Sequence, residues 1–427
     1  MTARRRTLIV AAALALMPAL AVAQTVAITN ARVHTVSGAV IERGTVVIQD
    51  GRIAAVGATV AVPAGAQVID GTGKVVTPGL LDSNTGLGTT EVDAAAGTND
   101  RESRNDRITA SADPLDNLNP FSTLIPVTRV EGITRAVVVP SPGVSFVAGR
   151  GLLMQLGTVG STITVDKNPV ALYATIGERG AGLTGGTRAT SLSRLREILQ
   201  DARDYDANRA AFDTANRRNY VLSRLDLEAI VPVVRGELPL ALSVNRASDI
   251  LNALRLARDT NIRLILERAE EAWVVAREIA EAKVPVILNP LTNLPTFESA
   301  GITFENAARL QAAGVTVLLA SFESHHSRAL RQIAGNAVSH GMPYDAALRA
   351  VTLTPAEVWG IADRYGSIDV GKDADVVVWS GDPFELITAA ERVFIRGVAI
   401  PMETRQNELL RRYRQLDGAG LPPAYRK

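Results

Sequence analysis

The 427-residue chain contains no cysteine and only four histidines. The absence of cysteine excludes disulfide bonds, thiol nucleophiles, cysteine-ligated zinc and iron–sulfur clusters. The chain also lacks an excess of either charge, with 45 basic and 44 acidic side chains. Because nucleic-acid binding needs a concentrated positive surface, no nucleic-acid partner is expected. At 47% hydrophobic residues the chain is typical of globular proteins, and any acid–base or metal chemistry must use His, Asp, Glu or Lys.

The first 23 residues have the pattern of a secretory signal peptide. Three consecutive arginines (residues 4–6) precede an apolar run over residues 8–20, and Ala21-Val22-Ala23 forms a small-x-small cleavage site. The apolar run is too short to span a bilayer. We predict cleavage before Gln24 and a periplasmic or secreted location. Since no second run of spanning length follows, no membrane association is expected after cleavage.

The two ends of the chain share a sequence pattern, in which short runs rich in β-branched residues are separated by turn residues. Residues 26–77 carry hairpin signals at Asp50-Gly51 and at residues 70–73 (DGTG), which predict a small antiparallel sheet. Similar runs reappear only near the C-terminus. We therefore predict one composite β-sandwich domain formed by residues 24–78 together with residues 360–427.

Residues 79–359 instead alternate strand-like apolar runs with amphipathic helical stretches, at a spacing of about 20 to 25 residues. Eight such units need about 250 residues. The predicted fold class is thus α/β, a TIM-like (β/α)8 barrel inserted into the small β-sandwich formed by the N- and C-terminal segments. Residues 91–119 are polar and without period, which leaves two interpretations open: a loop over the barrel mouth or a solvated surface excursion. The clearest strand candidates are residues 133–140, 238–244, 262–267, 284–289 and 315–321.

Two motifs nearly 300 residues apart carry a family resemblance. Residues 77–82 read TPGLLD at the end of the N-terminal sheet, and residues 371–375 read GKDAD where the chain returns to the sandwich. Together they resemble the flanks of the amidohydrolase superfamily, particularly its imidazolonepropionase-like branch. The resemblance covers essentially the whole mature chain. It implies a hydrolase of non-peptide carbon–nitrogen bonds, with one or two divalent metals such as zinc at the barrel mouth.

The resemblance also implies where metal ligands belong: a His-x-His after strand 1, a carboxylated Lys or a Glu after strand 4, histidines after strands 5 and 6, and an Asp after strand 8. The matching positions here hold Asn84 and Gly86, then Ser243 or Asn245, then Arg268, then Phe322 followed by Glu323. Lys167 and Lys283 are the candidates for carboxylation, but neither lies where a mouth residue is expected. We therefore predict no metal ligand and no bound cofactor, and we assign Asn84, Ser243, Asn245 and Arg268 to hydrogen bonding with a small polar ligand.

Glu323, His325 and His326 follow the last barrel strand and are the candidate catalytic residues. Three functional hypotheses remain open: a hydrolase that does not use the usual binuclear metal, a non-catalytic protein that binds a ligand or pairs with a metal-competent relative, and metal-free acid–base catalysis by these three side chains. A homo-oligomer and a hetero-oligomer with a related amidohydrolase are both compatible with the sequence.

Overall fold

The computed structural model of the chain describes residues 25–157, 163–214, 216 and 218–414. The predicted signal peptide, residues 1–23, lies outside these ranges. The strands within them are β1 Val26–Val33, β2 Ile41–Gln49, β3 Arg52–Gly57, β4 Gln67–Asp70, β5 Val75–Pro78, β6 Leu80–Thr85, β7 Ile133–Val138, β8 Val147–Gln155, β9 Val165–Thr175, β10 Leu240–Val244, β11 Leu264–Arg268, β12 Val286–Leu288, β13 Val317–Leu319, β14 Val376–Trp379, β15 Ala390–Ile395 and β16 Val398–Ala399.

The α-helices of the described ranges lie mainly between the later barrel strands. They are α1 Leu124–Arg129, α2 Gly177–Leu183, α3 Arg188–Ala207, α4 Arg209–Asp213, α5 Arg224–Val234, α6 Ala247–Thr260, α7 Ala276–Ala282, α8 Asn306–Ala312, α9 Leu330–Ser339, α10 Tyr344–Ala350, α11 Leu353–Trp359 and α12 Arg405–Arg414. Within the part of the chain that the structure describes, no helix has both the length and the apolar character needed to cross a bilayer.

The first sheet joins the two ends of the chain in the order β16-β15-β14-β5-β1-β2-β3, with β4 paired to β1. The predicted hairpin at Asp50-Gly51 is confirmed, because β2 and β3 pair antiparallel across it. The predicted hairpin at residues 70–73 is wrong. There β4 and β5 each pair with β1 in the parallel direction, so the turn joins two strands that both pair with β1 and not with each other. The sheet therefore contains both parallel and antiparallel pairs.

The second sheet is a nearly closed barrel in the order β13-β12-β11-β10-β9-β8-β7-β6, and it confirms the predicted fold class. One strand departs from the regular pattern, because β8 runs antiparallel to both β7 and β9. The physical reason is the length of the connections. A parallel crossover needs about a dozen residues or more, and the segments on either side of β8 are shorter than that.

Side chains inside the barrel and outside it form two separate apolar layers. Leu81, Val137, Ile265, Ile287 and Leu318 are buried in the interior, one from each of five strands. Their neighbours along the strands pack outward against the helices, as the alternation of side chains in a strand requires. Among the described residues, the barrel interior is thus a packed core rather than a channel.

Strands β6 and β13 close the barrel through a few specific hydrogen bonds near the mouth. The Phe322 amide donates to the Asn84 carbonyl at 2.9 Å, and the Ser321 amide donates to Asp82 Oδ1 at 3.0 Å. The Ser321 hydroxyl also donates to Asp82 Oδ2. A buried carboxyl group therefore completes the seam where backbone pairing is short.

A buried guanidinium joins the barrel to the first sheet at the opposite end from the mouth. Arg135 of β7 is 1% exposed and pairs with Asp166 at 2.6 Å, with Asp373 at 2.9 Å and with Asp375. Its guanidinium also lies 4.1 Å from the centre of the Tyr365 ring. Burial by itself lowers the pKa of Arg135, but the carboxylates of Asp375 and Asp166 raise it well above its usual value, so the group stays charged.

Replacing Arg135 with Met should destabilise the protein by about 3–5 kcal/mol, because three carboxyl groups lose their buried cation. The measurement is the free energy of unfolding in urea. Arg364→Met is the matched control, since Arg364 reaches Asp166 only at 3.6 Å and is 39% exposed, and it should cost less than about 1 kcal/mol. Equal unfolding midpoints for the two variants would contradict the structural role assigned to Arg135.

Candidate functional site: the barrel mouth

Two adjoining cavities open at the carboxyl ends of the barrel strands. The inner cavity, of about 100 Å³, is lined by Asn84, Ser243 and Arg268 among others. The outer cavity, of about 440 Å³, shares Ser243 and Arg268 with it and adds Asn245. The four residues predicted to bind a ligand are thus brought together at one end of the barrel, although they are far apart in sequence.

The three candidate catalytic residues follow β13, beside the seam that closes the barrel. Glu323, His325 and His326 are exposed, and none of them lines either cavity. The Glu323 backbone carbonyl is occupied in the barrel seam, where it accepts hydrogen bonds from Thr85 Oγ1 and Ser327 Oγ. Their assignment to acid–base catalysis stays a prediction.

Arg101, from the long loop after β6, reaches into the inner cavity, where a side chain on Gly86 would otherwise lie. A Cβ atom built on Gly86 would come within 2.4 Å of Arg101 Cδ and within 2.5 Å of Ser324 Oγ. Arg101 Nε donates to the Val139 carbonyl at 3.2 Å. Burial lowers the pKa of Arg101, and the positive charge of Arg268 lowers it further. Two guanidinium groups therefore share this end of the barrel.

Arg268 is held at the end of β11 by an aromatic contact. Its guanidinium carbon lies 4.9 Å from the centre of the Phe322 ring, a cation–π arrangement. The backbone of Arg268 has φ = +64° and that of Phe322 has φ = +60°, in the left-handed region that non-glycine residues rarely adopt. Such strained positions cluster at functional sites. Arg179 lines both cavities and adds a third positive charge.

A buried carboxyl group lies directly below the arginines. Glu267 Oε1 accepts a hydrogen bond from Asn84 Nδ2 at 2.7 Å, and the Asn84 backbone amide donates to Asp82 Oδ1 at 3.2 Å. Burial raises the pKa of Glu267 and that of Asp82, each to about 7. Both carboxyl groups therefore exchange protons near neutral pH.

The Tyr173 hydroxyl is an unpaired polar group at the bottom of the inner cavity. Its side chain is 2% exposed and belongs to β9, and its oxygen has no hydrogen-bond partner among the described residues. Gly151 of β8 makes room for the ring, because a Cβ there would lie 2.4 Å from Tyr173 Cε2. Buried hydroxyl groups nearly always have a partner, so this orphan points to a ligand.

The polar stretch over residues 91–119 combines both of the interpretations left open by its sequence. Arg101 brings part of it to the mouth, while much of the rest is exposed. Asp226 of α5 anchors its middle by accepting from the amides and hydroxyls of Thr109 and Ser111. The loop is therefore fixed to the barrel and delivers a cationic side chain.

The two candidate lysines lie at the other end of the barrel. Lys167, near the start of β9, donates to the Trp359 carbonyl at 2.9 Å, and Lys283 caps α7 just before β12. The mouth end of β9 is Thr175, which lines both cavities.

Sequence reasoning found the strand-end residues but missed Arg101, Tyr173 and Glu267. Glu267 is adjacent to the predicted Arg268, and a carboxyl group at the end of an apolar strand is a usable signal. Arg101 gave no local signal, because its position depends on the path of a long loop.

Comparison with known proteins agrees with this architecture. The model of the Amidohydrolase family matches residues 204–400. Amidohydrolase tasK of Hapsidospora irregularis is 23% identical over 389 residues, which cover 84% of this chain but only 39% of that protein. A crystal structure of an amidohydrolase from Thermotoga maritima MSB8 superposes with a TM-score of 0.80 at 28% identity, covering 88% of this chain and 99% of the other. Molinate hydrolase shares the fold alone, with a TM-score of 0.54 at 18% identity over 89% of this chain and 95% of its own.

These matches, together with the barrel and its composite partner sheet, define the class. They support the amidohydrolase superfamily, which the two flanking motifs predicted, as the family that this chain resembles. The similarity concerns the architecture, whereas the chemistry depends on the residues found at the mouth.

The two buried carboxyl groups should make stability fall as pH rises from about 5 to 7. The folded protein holds protons on Asp82 and Glu267 in this range, while the unfolded chain, with ordinary carboxyl pKa values, has released them. Each group should therefore lower the free energy of unfolding by about 1.4 kcal/mol per pH unit. Urea unfolding of Asp82→Asn and Glu267→Gln across this range should give shallower slopes than the parent protein. The exposed-site control Glu305→Gln should keep the parental slope, and parallel curves for all four proteins would refute the assignment.

Proposed function

We propose that this protein is a metal-independent member of the superfamily that binds a small polar molecule at the barrel mouth and does not hydrolyse it by the metal-dependent mechanism. The observation that carries the proposal is the arginine pair. Arg101 occupies the space above Gly86, and Arg268 stands at the end of β11, so two cations lie where the resemblance implies metal ligands.

The side chains at these positions do not fit a divalent cation. Asn84 turns its amide nitrogen toward Glu267, glycine offers no donor, and guanidinium groups repel a metal. Among the described residues, no three His, Asp or Glu side chains are grouped so that they could hold a metal ion. The donor set thus supports a site that binds by hydrogen bonds and charge.

The resemblance to hydrolases remains the competing interpretation, and a metal-free hydrolysis would need an acid–base pair at the cavities. The exposed positions of Glu323, His325 and His326 do not favour that role. Pairing with a metal-competent relative stays a proposal, to be examined by the oligomeric state of the isolated protein.

We also propose that the protein is exported and matured by removal of residues 1–23, on the strength of the arginine-led apolar run and its small-residue cleavage site. Expression in a Gram-negative host should release a chain starting at Gln24 into the periplasm, as read by N-terminal sequencing of the fractionated protein. Ala21→Phe together with Ala23→Phe should block processing and leave the unprocessed chain with the membranes. Unprocessed protein in the cytoplasm of the parent strain would contradict export.

Metal analysis gives the direct test of the main proposal. Protein purified without chelators should contain less than about 0.1 equivalent of zinc, manganese or iron and should not hydrolyse a panel of amides, lactams and dipeptides. Small polar molecules should raise its melting temperature if the mouth binds them.

A zinc-dependent hydrolase carried through the same purification serves as the control for metal loss. One equivalent of tightly held metal together with hydrolysis of any panel member would overturn the proposal. Retained metal without hydrolysis would overturn its metal-independent part.

A further inference from the structure

We propose that the inner cavity is a carboxylate site, in which the carboxylate of a small organic acid lies between Arg101 and Arg268 and accepts a hydrogen bond from the Tyr173 hydroxyl. This inference rests on the proposed function and names the class of ligand that the mouth takes. An anion would then occupy the region that the resemblance assigns to a metal cation, so the charge of the bound species is inverted.

The two guanidinium groups have no carboxylate partner of their own. Most arginines near the cavities or in the core form ion pairs, whereas no carboxylate of the described residues lies within ion-pair distance of Arg101 or Arg268. Among the described residues the Arg101 side chain makes one hydrogen bond, from Nε to the Val139 carbonyl, which leaves its terminal nitrogens available. Arg268 rests on the Phe322 ring, a contact that orients the guanidinium plane without using its N–H groups. Guanidinium groups arranged in this way are suited to bind a carboxylate through charge-assisted hydrogen bonds.

Tyr173 of β9 supplies a further donor to the same cavity. Its hydroxyl is buried, unpartnered and part of the same cavity lining as both arginines. A ligand oxygen that accepts a hydrogen bond from this hydroxyl would supply the partner that it lacks. The three donors come from a loop, from β11 and from β9, so the fold brings them together from separate segments.

The protein's own carboxyl groups near this site leave room for an added anion. Glu267 lies in the cavity wall but is hydrogen-bonded to Asn84 rather than to either arginine. Glu323, Asp93 and Glu102 act on Arg101 only through longer-range electrostatics, and they raise its pKa. A neutral Glu267 leaves the arginine pair uncompensated, so binding of an anion should be tightest below pH 7 and should weaken as Glu267 loses its proton.

The outer cavity indicates what the rest of the ligand carries. Asn245 lines it, and Asn245 Oδ1 is buried without a hydrogen-bond partner among the described residues. An amide oxygen accepts hydrogen bonds, so the ligand should present a hydroxyl or N–H group near its carboxylate. The inner cavity, of about 100 Å³, has room for a carboxylate and few further atoms. The class that fits is a small hydroxy- or amino-carboxylic acid.

Calorimetric titration of the purified full-length protein with glycolate, acetate and the neutral isostere glycolamide tests this inference. Glycolate should bind saturably, and glycolamide should bind about tenfold more weakly or worse, because it lacks the charge. Acetate should bind more weakly than glycolate, since it cannot donate to Asn245. Inorganic phosphate and sulfate are titrated separately, and a site that prefers either of them to glycolate is not a carboxylate site.

Variants locate the binding. Arg101→Gln and Arg268→Gln should each weaken glycolate binding about tenfold or more, and Tyr173→Phe about threefold to tenfold. Tyr173→Phe should not lower the melting temperature of the free protein, because the hydroxyl has no partner to lose. A tyrosine with a purely structural role would lower the melting temperature when its hydroxyl is removed.

The Glu267→Gln variant should bind glycolate with little change in affinity between pH 6 and 8, whereas the affinity of the parent protein should fall over that interval. The matched control is Arg255→Gln, in α6, where the exposed guanidinium donates to Asn252.

Equal binding of glycolate and glycolamide, parental affinity in both mouth arginine variants, or no binding of any carboxylate would each overturn the carboxylate assignment. Metal content is measured on the same samples. If the protein retains stoichiometric metal and binds carboxylates, the proposed function is contradicted but the arginine site is not. If the protein is metal-free and does not bind carboxylates, only the carboxylate site is contradicted.

Discussion

The buried guanidinium of Arg135 fixes how the two parts of the molecule fit together. It pairs with three carboxylates, two of which, Asp373 and Asp375, belong to the segment that carries the chain back into the first sheet. Next to it the Gly79 amide donates to the Asp375 carbonyl at 2.9 Å, so the entry to and the exit from the barrel are joined side by side. This connection holds the base of the barrel against the first sheet.

The arginines at the two ends of the barrel differ in whether they are paired with carboxylates. Arg135 at the base is fully paired, buried and shielded from exchange with solvent. Arg101 and Arg268 at the mouth lie beside a cavity and lack carboxylate partners among the described residues. Because a charged group held near an apolar interior is costly unless it is paired, an unpaired couple at a cavity is more readily explained by a ligand than by stability. This matches the general placement of function at the carboxyl ends of barrel strands.

Much of the fold could be predicted from the sequence, and the residues show why. Five of the barrel strands, β7 and β10 to β13, were located within a few residues because buried strands are short apolar runs, and the flanking motifs indicated the superfamily. Strands β8 and β9 were not among the predicted strands. The reversed direction of β8 could not be read, since a buried strand has the same pattern in either direction. At the site, Asn84, Ser243, Asn245 and Arg268 follow from strand ends. The positions of Arg101 and Tyr173 could not be predicted in this way. Arg101 packs against Gly86 and Tyr173 packs against Gly151, and neither contact is between residues that are close in sequence.

On the proposed function, the loss of the metal does not remove positive charge from the barrel mouth. A divalent metal and a guanidinium pair both attract anions, but only the metal has an open coordination position at which water loses a proton near neutral pH. A guanidinium offers fixed N–H donors and cannot generate hydroxide in that way. Replacing one by the other would therefore abolish the nucleophile while keeping the electrostatic attraction for a carboxylate. In the metal-dependent mechanism one cation both attracts the anion and generates hydroxide. Arginine can reproduce the attraction but not the hydroxide, so on the proposed function this protein would keep binding and lose hydrolysis.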